Sequence, residues 1–161
     1  MGALKSTVTA NGDAVMVKLS GTLDEDTNFN GSILPQYKNI TLDLKEIERI
    51  TSKGVRAWML WVARLDNSKA FQINDLSRVF VTQANLIPGM IPNWMKVNSV
   101  ELPYYCAACG NAFGRVITIR NGQIPTEVDH QVPCLGCNGT AEFDAIVERY
   151  FQFLKPRTAR K

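Results

Sequence analysis

The sequence predicts an α/β fold, a mixed sheet with helices packed on it, continued by a small cysteine-bearing ribbon that ends in a helix. Three observations carry the prediction. Strand-like and helix-like runs alternate over the first two thirds of the chain. Val55, Trp58, Met59, Val62 and Leu65 recur at helical spacing between two strand-like runs. The four cysteines come as two C-x-x-C pairs, Cys106/Cys109 and Cys134/Cys137.

The elements follow in order. LKSTVTANGDAVMVKLSG reads as two strands joined at Asn11-Gly12, a strong hairpin signal. In its second half Val15, Val17 and Leu19 alternate with Met16, Lys18 and Ser20, the pattern of a sheet covered on one face. TLDEDTNFNGSILPQYK is rich in turn formers and reads as a loop or a short, poor helix. NITLDLKEI is a strand with Ile40, Leu42 and Leu44 on one side. The striped helix follows, then the strand AFQINDL. SRVFVTQANLI is a helix capped by Ser77 and stopped before Pro88. WMKVNSVELPYY is one further strand, and GRVITIRNGQIPTEV a hairpin turning at Asn121-Gly122. TAEFDAIVERYFQFL is an amphipathic helix with Phe143, Ile146, Val147, Tyr150, Phe153 and Leu154 on its apolar stripe. Helical crossovers between strands make the sheet partly parallel.

Composition narrows the function. No apolar run approaches the ~20 residues that a membrane helix needs, and the N-terminal residues show no basic segment leading into an apolar one. A cytoplasmic protein without membrane association is expected. Net charge is +3, but KPRTARK at the end holds four cations, Lys155, Arg157, Arg160 and Lys161. Subtracting 4 from 3 leaves −1 for the rest, which argues against a large nucleic-acid surface. The tail reads as a solvated end. One histidine, His130, and no nucleophile or phosphate-loop motif argue against a hydrolase or a nucleotide-binding enzyme.

The cysteines carry the clearest chemistry. Two residues between cysteines let one tight turn offer both sulfurs to one ion, and two such turns complete a tetrahedron. The 24 residues between the pairs suit a ribbon. Gly110 after the first pair and Asn138-Gly139 after the second tolerate positive φ, which lets backbone N–H groups face the thiolates. Structural zinc on Cys106, Cys109, Cys134 and Cys137 is the expectation. A rubredoxin-like iron centre, plain buried thiols and a redox pair are the alternatives, and four sulfur ligands leave no open catalytic position.

Three stretches, VKLSGTLDEDT, ITLDLKEIERITSKGVRAWML and FQINDLSRVFVTQANLI, resemble the STAS domain of bacterial anti-sigma factor antagonists. The likeness covers residues 5 to 100, and the cysteine ribbon resembles one appended in a group of bacterial STAS-like proteins. It divides the chain into a STAS-like domain over residues 1–102 and a zinc ribbon with helix and basic tail over 103–161. It implies a non-enzymatic module that binds a protein partner, an anti-sigma factor, a kinase or another signalling protein. Such domains are switched by phosphorylation of a serine at the start of a helix, in a turn that reads D-S-S-G. Here the turn reads Thr51-Ser52-Lys53-Gly54, with Lys53 at the phosphoserine position and Thr51 at the acidic one. Asp24 matches the family's other acidic residue near that turn. A module lacking the usual switch is expected, with Ser52 as helix cap. Its partner surface would comprise Asp24, Thr51, Ser52, Lys53, Gly54 and Trp61, where Trp61, off the core stripe, would serve as an exposed anchor. Nucleic-acid binding through Arg115, Arg120 and the tail, and thiol redox sensing, are the competing functions.

Overall fold

The computed structural model describes residues 3–29 and 31–156, apart from the side chains of 31–33. Gly12, at φ +60°, turns β1 (Lys5–Asn11) into β2 (Ala14–Leu23), and the two pair antiparallel from Lys5↔Ser20 to Asn11↔Ala14. The Asp/Asn/Gly-rich segment that follows contains a short 3-10 turn, Gly31–Gln36. Lys69 closes the far end of that turn by donating to the carbonyls of Leu34, Pro35 and Tyr37. Then come β3 (Asn39–Ile50), α1 (Ser52–Ala63), β4 (Ala70–Asn74), α2 (Arg78–Leu86) and β5 (Met95–Val97). The sheet order is β1-β2-β3-β4-β5, with β2 to β5 mutually parallel and only β1 antiparallel. Every parallel pair is joined through helix or 3-10 turn, as parallel pairing demands.

The alternation in β2 and β3 decides which face is covered. Val15, Val17, Leu19, Ile40, Leu42 and Leu44 are buried, while Met16 is exposed. On the outer face Lys18 pairs with Glu46 at 2.8 Å. Of the α1 stripe, Trp58 and Val62 are buried and the other three members are half-buried. Trp58 anchors the helix, with its indole N–H donating to the Met90 carbonyl at 2.7 Å and its ring edge-on to Phe80.

The stretch expected to be one strand after α2 is two strands in two sheets. β5 ends at Val97, and β6 (Ser99–Tyr105) belongs to a second, antiparallel sheet of order β7-β6-β9-β8. Asn98 makes the crossing. Its backbone N–H reaches the Ile73 carbonyl at 2.8 Å, and its side-chain amide donates to Gln72 Oε1 at 2.7 Å and Asn74 Oδ1 at 2.9 Å. The second sheet is completed by β7 (Ala112–Thr118), β8 (Gln131–Pro133) and β9 (Thr140–Phe143). Position 102/103, the boundary drawn from the sequence, falls inside β6.

Two further expectations are corrected. Asn121 and Gly122 do turn the chain, at φ 51° and 67°, but no strand returns along β7; β7 pairs with β6 instead. Pro125 lies where the returning strand would run and brings no N–H to a ladder. The final helix is much shorter than its stripe suggests. Thr140–Phe143 is β9, α3 spans only Val147–Tyr150, and a 3-10 turn, Gln152–Leu154, follows. Residues 140–143 are claimed by pairing with β8 and β6, which leaves Ile146 exposed and buries Phe151 instead. α3 packs on α2 through the Asn85 amide, which donates to the Tyr150 carbonyl at 3.0 Å and accepts from the Phe153 N–H at 2.7 Å. Arg157, Arg160 and Lys161 of the basic tail lie outside the described residues.

Candidate functional site

The metal-ligand candidates sit on two hairpin tips. The first C-x-x-C forms the turn between β6 and β7, closed by Cys106 N–H to Asn111 O (2.9 Å) and Gly110 N–H to Cys106 O (2.8 Å). The second forms the turn between β8 and β9, closed by Cys134 N–H to Gly139 O at 3.0 Å. β6 and β9 pair through Tyr104↔Phe143 and Tyr105↔Glu142, so the two tips meet side by side.

The four sulfurs lie within 4.8 Å of one another, with Cys106–Cys137 at 3.7 Å and Cys109–Cys134 at 3.6 Å. A disulfide needs about 2.05 Å. Sulfurs placed tetrahedrally at about 2.3 Å from one ion would stand about 3.8 Å apart. The cluster therefore has the dimensions of a four-sulfur metal site, and these residues could hold a metal ion. Gly136 N–H donates to Cys134 Sγ and Gly139 N–H to Cys137 Sγ, both at 3.2 Å, which offsets part of the charge four thiolates would bring together. The Gly136 N–H draws the Cys134 thiol down to about 6. At Cys109 the Asn111 backbone N–H also pulls downward, but burial and the neighbouring sulfurs outweigh it and push the thiol up to about 12.

Gly110 takes φ +75° as expected, whereas Asn138 and Gly139 do not use positive φ. Proximity favours glycine at 139 instead: a Cβ there would lie a tight 3.2 Å from Cys137 Sγ. His130 is exposed and takes no part; its carbonyl accepts from the Phe143 N–H.

The turn Thr51–Gly54 lies at the carboxyl end of β3, beside the carboxyl end of β2. The cap of α1 is Thr51, not Ser52. The Thr51 side chain accepts from Gly54 N–H at 3.0 Å, and Ser52 is the exposed first helical residue. Threonine one position earlier already has the extended backbone, φ −86° and ψ 163°, that a cap requires. Thr51 N–H also donates to Leu23 O at 3.0 Å, which ties the turn to β2. Gly54 is the buried member, seated against that same carbonyl. Asp24 is half-buried, and its carboxylate accepts from Asp26 N–H and the Thr27 hydroxyl and so shapes the adjoining loop.

Lys53 projects outward and pairs with Glu25 at 2.7 Å. Their hydrogen bond holds Lys53 above the usual lysine range and Glu25 below the usual carboxylate range. A cation in the first turn of a helix opposes the macrodipole; Glu25 supplies the compensating charge. Nothing local in LDEDT marks Glu25 for this partner, because the two residues meet only when β2 and β3 lie side by side.

Trp61 is half-buried rather than exposed. Phe29, from the loop after β2, stacks on it at 4.6 Å with 14° between ring planes. Its indole N–H is shielded from solvent and has no acceptor among the described residues, an arrangement that costs about 1–3 kcal/mol. The exposed large apolar side chain on α1 is Leu60, 50% accessible. The stripe already implied this, since Leu60 lies opposite Trp58 and Val62.

No protein-family model matches the chain, and no curated protein matches it. Among the described residues no helix is long and apolar enough to cross a membrane.

Proposed function

We propose that this chain is a non-enzymatic protein-interaction module of bacterial signalling, STAS-like over its first sheet and braced by structural zinc at the four cysteines. The observation that carries the reading is the turn Thr51–Gly54. It stands at the carboxyl edge of parallel strands, where open α/β sheets place their binding residues, with Ser52 and Lys53 exposed beside Asp24. Support for the fold assignment comes from the sheet order and the two helical crossovers. Support for zinc comes from four thiol donors at tetrahedral spacing with two N–H donors aimed at sulfur. In this reading the zinc holds the two hairpins together and does no chemistry.

Regulation differs from a phosphoserine switch. Lys53 stands where the modified serine would be, and its pairing with Glu25 gives a fixed, near-neutral turn. The module therefore docks constitutively through Asp24, Thr51, Ser52 and Lys53, with buried Gly54 holding the turn in shape. The test is capture of partners from a bacterial extract by wild type and by Lys53→Glu, compared by quantitative mass spectrometry. Loss of specific partners in the variant supports the reading; an identical set removes the turn from the interface.

A further inference from the structure

The outer face of α1 carries a charge pattern beyond the turn itself. Residues 52–65 contain no acidic side chain, and Lys53, Arg56, Leu60 and Arg64 are exposed along one side. Lys53 is neutralised by Glu25, whereas among the described residues neither Arg56 nor Arg64 has an ion-pair partner. Leu60 lies four residues from each arginine. Beside it is a groove of about 400 Å³ lined by Phe29, Ala57, Leu60, Trp61 and Arg64. Its floor is the Phe29–Trp61 stack.

We infer that α1 is the docking ridge for an acidic amphipathic helix of a partner protein, which sets an aliphatic or aromatic anchor against Leu60 and Trp61 and carboxylates against Arg56 and Arg64. Charge complementarity selects the occupant. The arginines are eight residues apart, about 12 Å along a helix axis, so a partner helix lying along α1 matches them with acidic residues four positions either side of its anchor. A basic segment would meet two unpaired cations with no acidic residue on the ridge to receive it. An uncharged segment would leave both arginines partly desolvated and unmatched. The inference rests on the docking reading above and adds the chemistry of the partner.

The experiment is selection of a displayed library of random helical peptides on the full, metal-loaded chain. Recovered peptides are then titrated by fluorescence anisotropy. The expected winners carry an apolar anchor with Asp or Glu at i−4 and i+4, bind more weakly at higher salt, and lose about tenfold or more in affinity to Leu60→Asp. The double variant Arg56→Glu/Arg64→Glu, run through the same selection, should return peptides with Lys or Arg at those positions. All three substituted positions are exposed, and circular dichroism with metal content verifies the fold. Winners that need Leu60 but are neutral or basic overturn the acidic partner while leaving the docking face in place. Recovery of no binder, or of binders indifferent to Leu60→Asp, overturns the ridge. The Lys53→Glu capture experiment then decides separately whether the turn still docks.

Discussion

A Cβ on Gly54 would lie 2.0 Å from the carbonyl oxygen of Leu23. The first turn of α1 thus rests directly on the end of β2, and glycine is needed for closeness, since its φ is ordinary. Gly54→Ala must push the helix start away from the strand and break Thr51's bonds to Leu23. The expected cost is about 1–3 kcal/mol, read as a lower urea midpoint. An unchanged midpoint would show that the turn has room to yield.

Trp58 and Trp61 make a matched pair for a second test. Trp58→Phe strands the Met90 carbonyl and leaves a gap in the core, so it should destabilise by about 2–4 kcal/mol. Trp61→Phe deletes an N–H that has no acceptor among the described residues and keeps a ring for Phe29 to stack on, so stability should stay level or rise. Denaturation of both variants under one condition reads the contrast. Equal losses would contradict it.

Metal removal should act on the ribbon. Purified, untagged protein is expected to contain about one zinc per chain by mass spectrometry of metals. Chelation, or Cys134→Ser, should abolish the dispersion of amide signals from β8 and β9 in NMR spectra. Protons compete with the metal for thiolate sulfur, so retention of zinc against a chelator should weaken as pH falls. A chain that keeps those signals without metal would show that the hairpins need no brace.

The Lys53–Glu25 pair gives a pH-dependent signal. Glu25's carboxyl titrates below its unfolded value, so the pair's contribution is present above the ordinary glutamate range and lost as pH falls through the lowered one. Both groups are solvent-exposed, so the effect on stability is too small to use. The readout is the Glu25 carboxyl carbon by NMR: Lys53→Met should shift its titration upward. No shift would mean the pair is not formed in solution.

Asn98 offers a fifth test. Replacing it by Leu removes the two side-chain donations at the crossing between sheets and leaves the Gln72 and Asn74 carbonyls facing an alkyl group, while the backbone bond to Ile73 remains. A loss of about 1–3 kcal/mol is expected from the unmatched amides, measured by thermal melting. Asn98→Asp, which cannot donate, should behave similarly.

Local patterns made much of this architecture legible. Alternation in β2 and β3, the α1 stripe, the Ser77 cap and the Asn11-Gly12 turn each depend on neighbours in sequence, and each appears where the residues place it. The cysteine cluster was legible for the same reason, because a two-residue spacer fixes its own turn. What sequence reading missed depends on distant pairing. Thr140–Phe143 has a helix-like stripe until β8 claims it, and WMKVNSVELPYY looks continuous until Asn98 finds Gln72 and Asn74 across the sheet. Glu25 and Phe29 belong to a loop of turn formers with no periodicity, yet they dress both ends of α1's outer side.

β6 starts one residue after Asn98 and ends one residue before Cys106, while along its length Val100 bridges Leu76 and the Glu101 carbonyl takes the Tyr150 hydroxyl. The strand is thus a tether with one end in each half of the molecule and its middle gripped by the helical layer. Slackening at the sulfur end has no hinge in which to stop. The two halves should therefore melt as one calorimetric event, and stripping an ion held by the four sulfurs should also loosen the seat of α2.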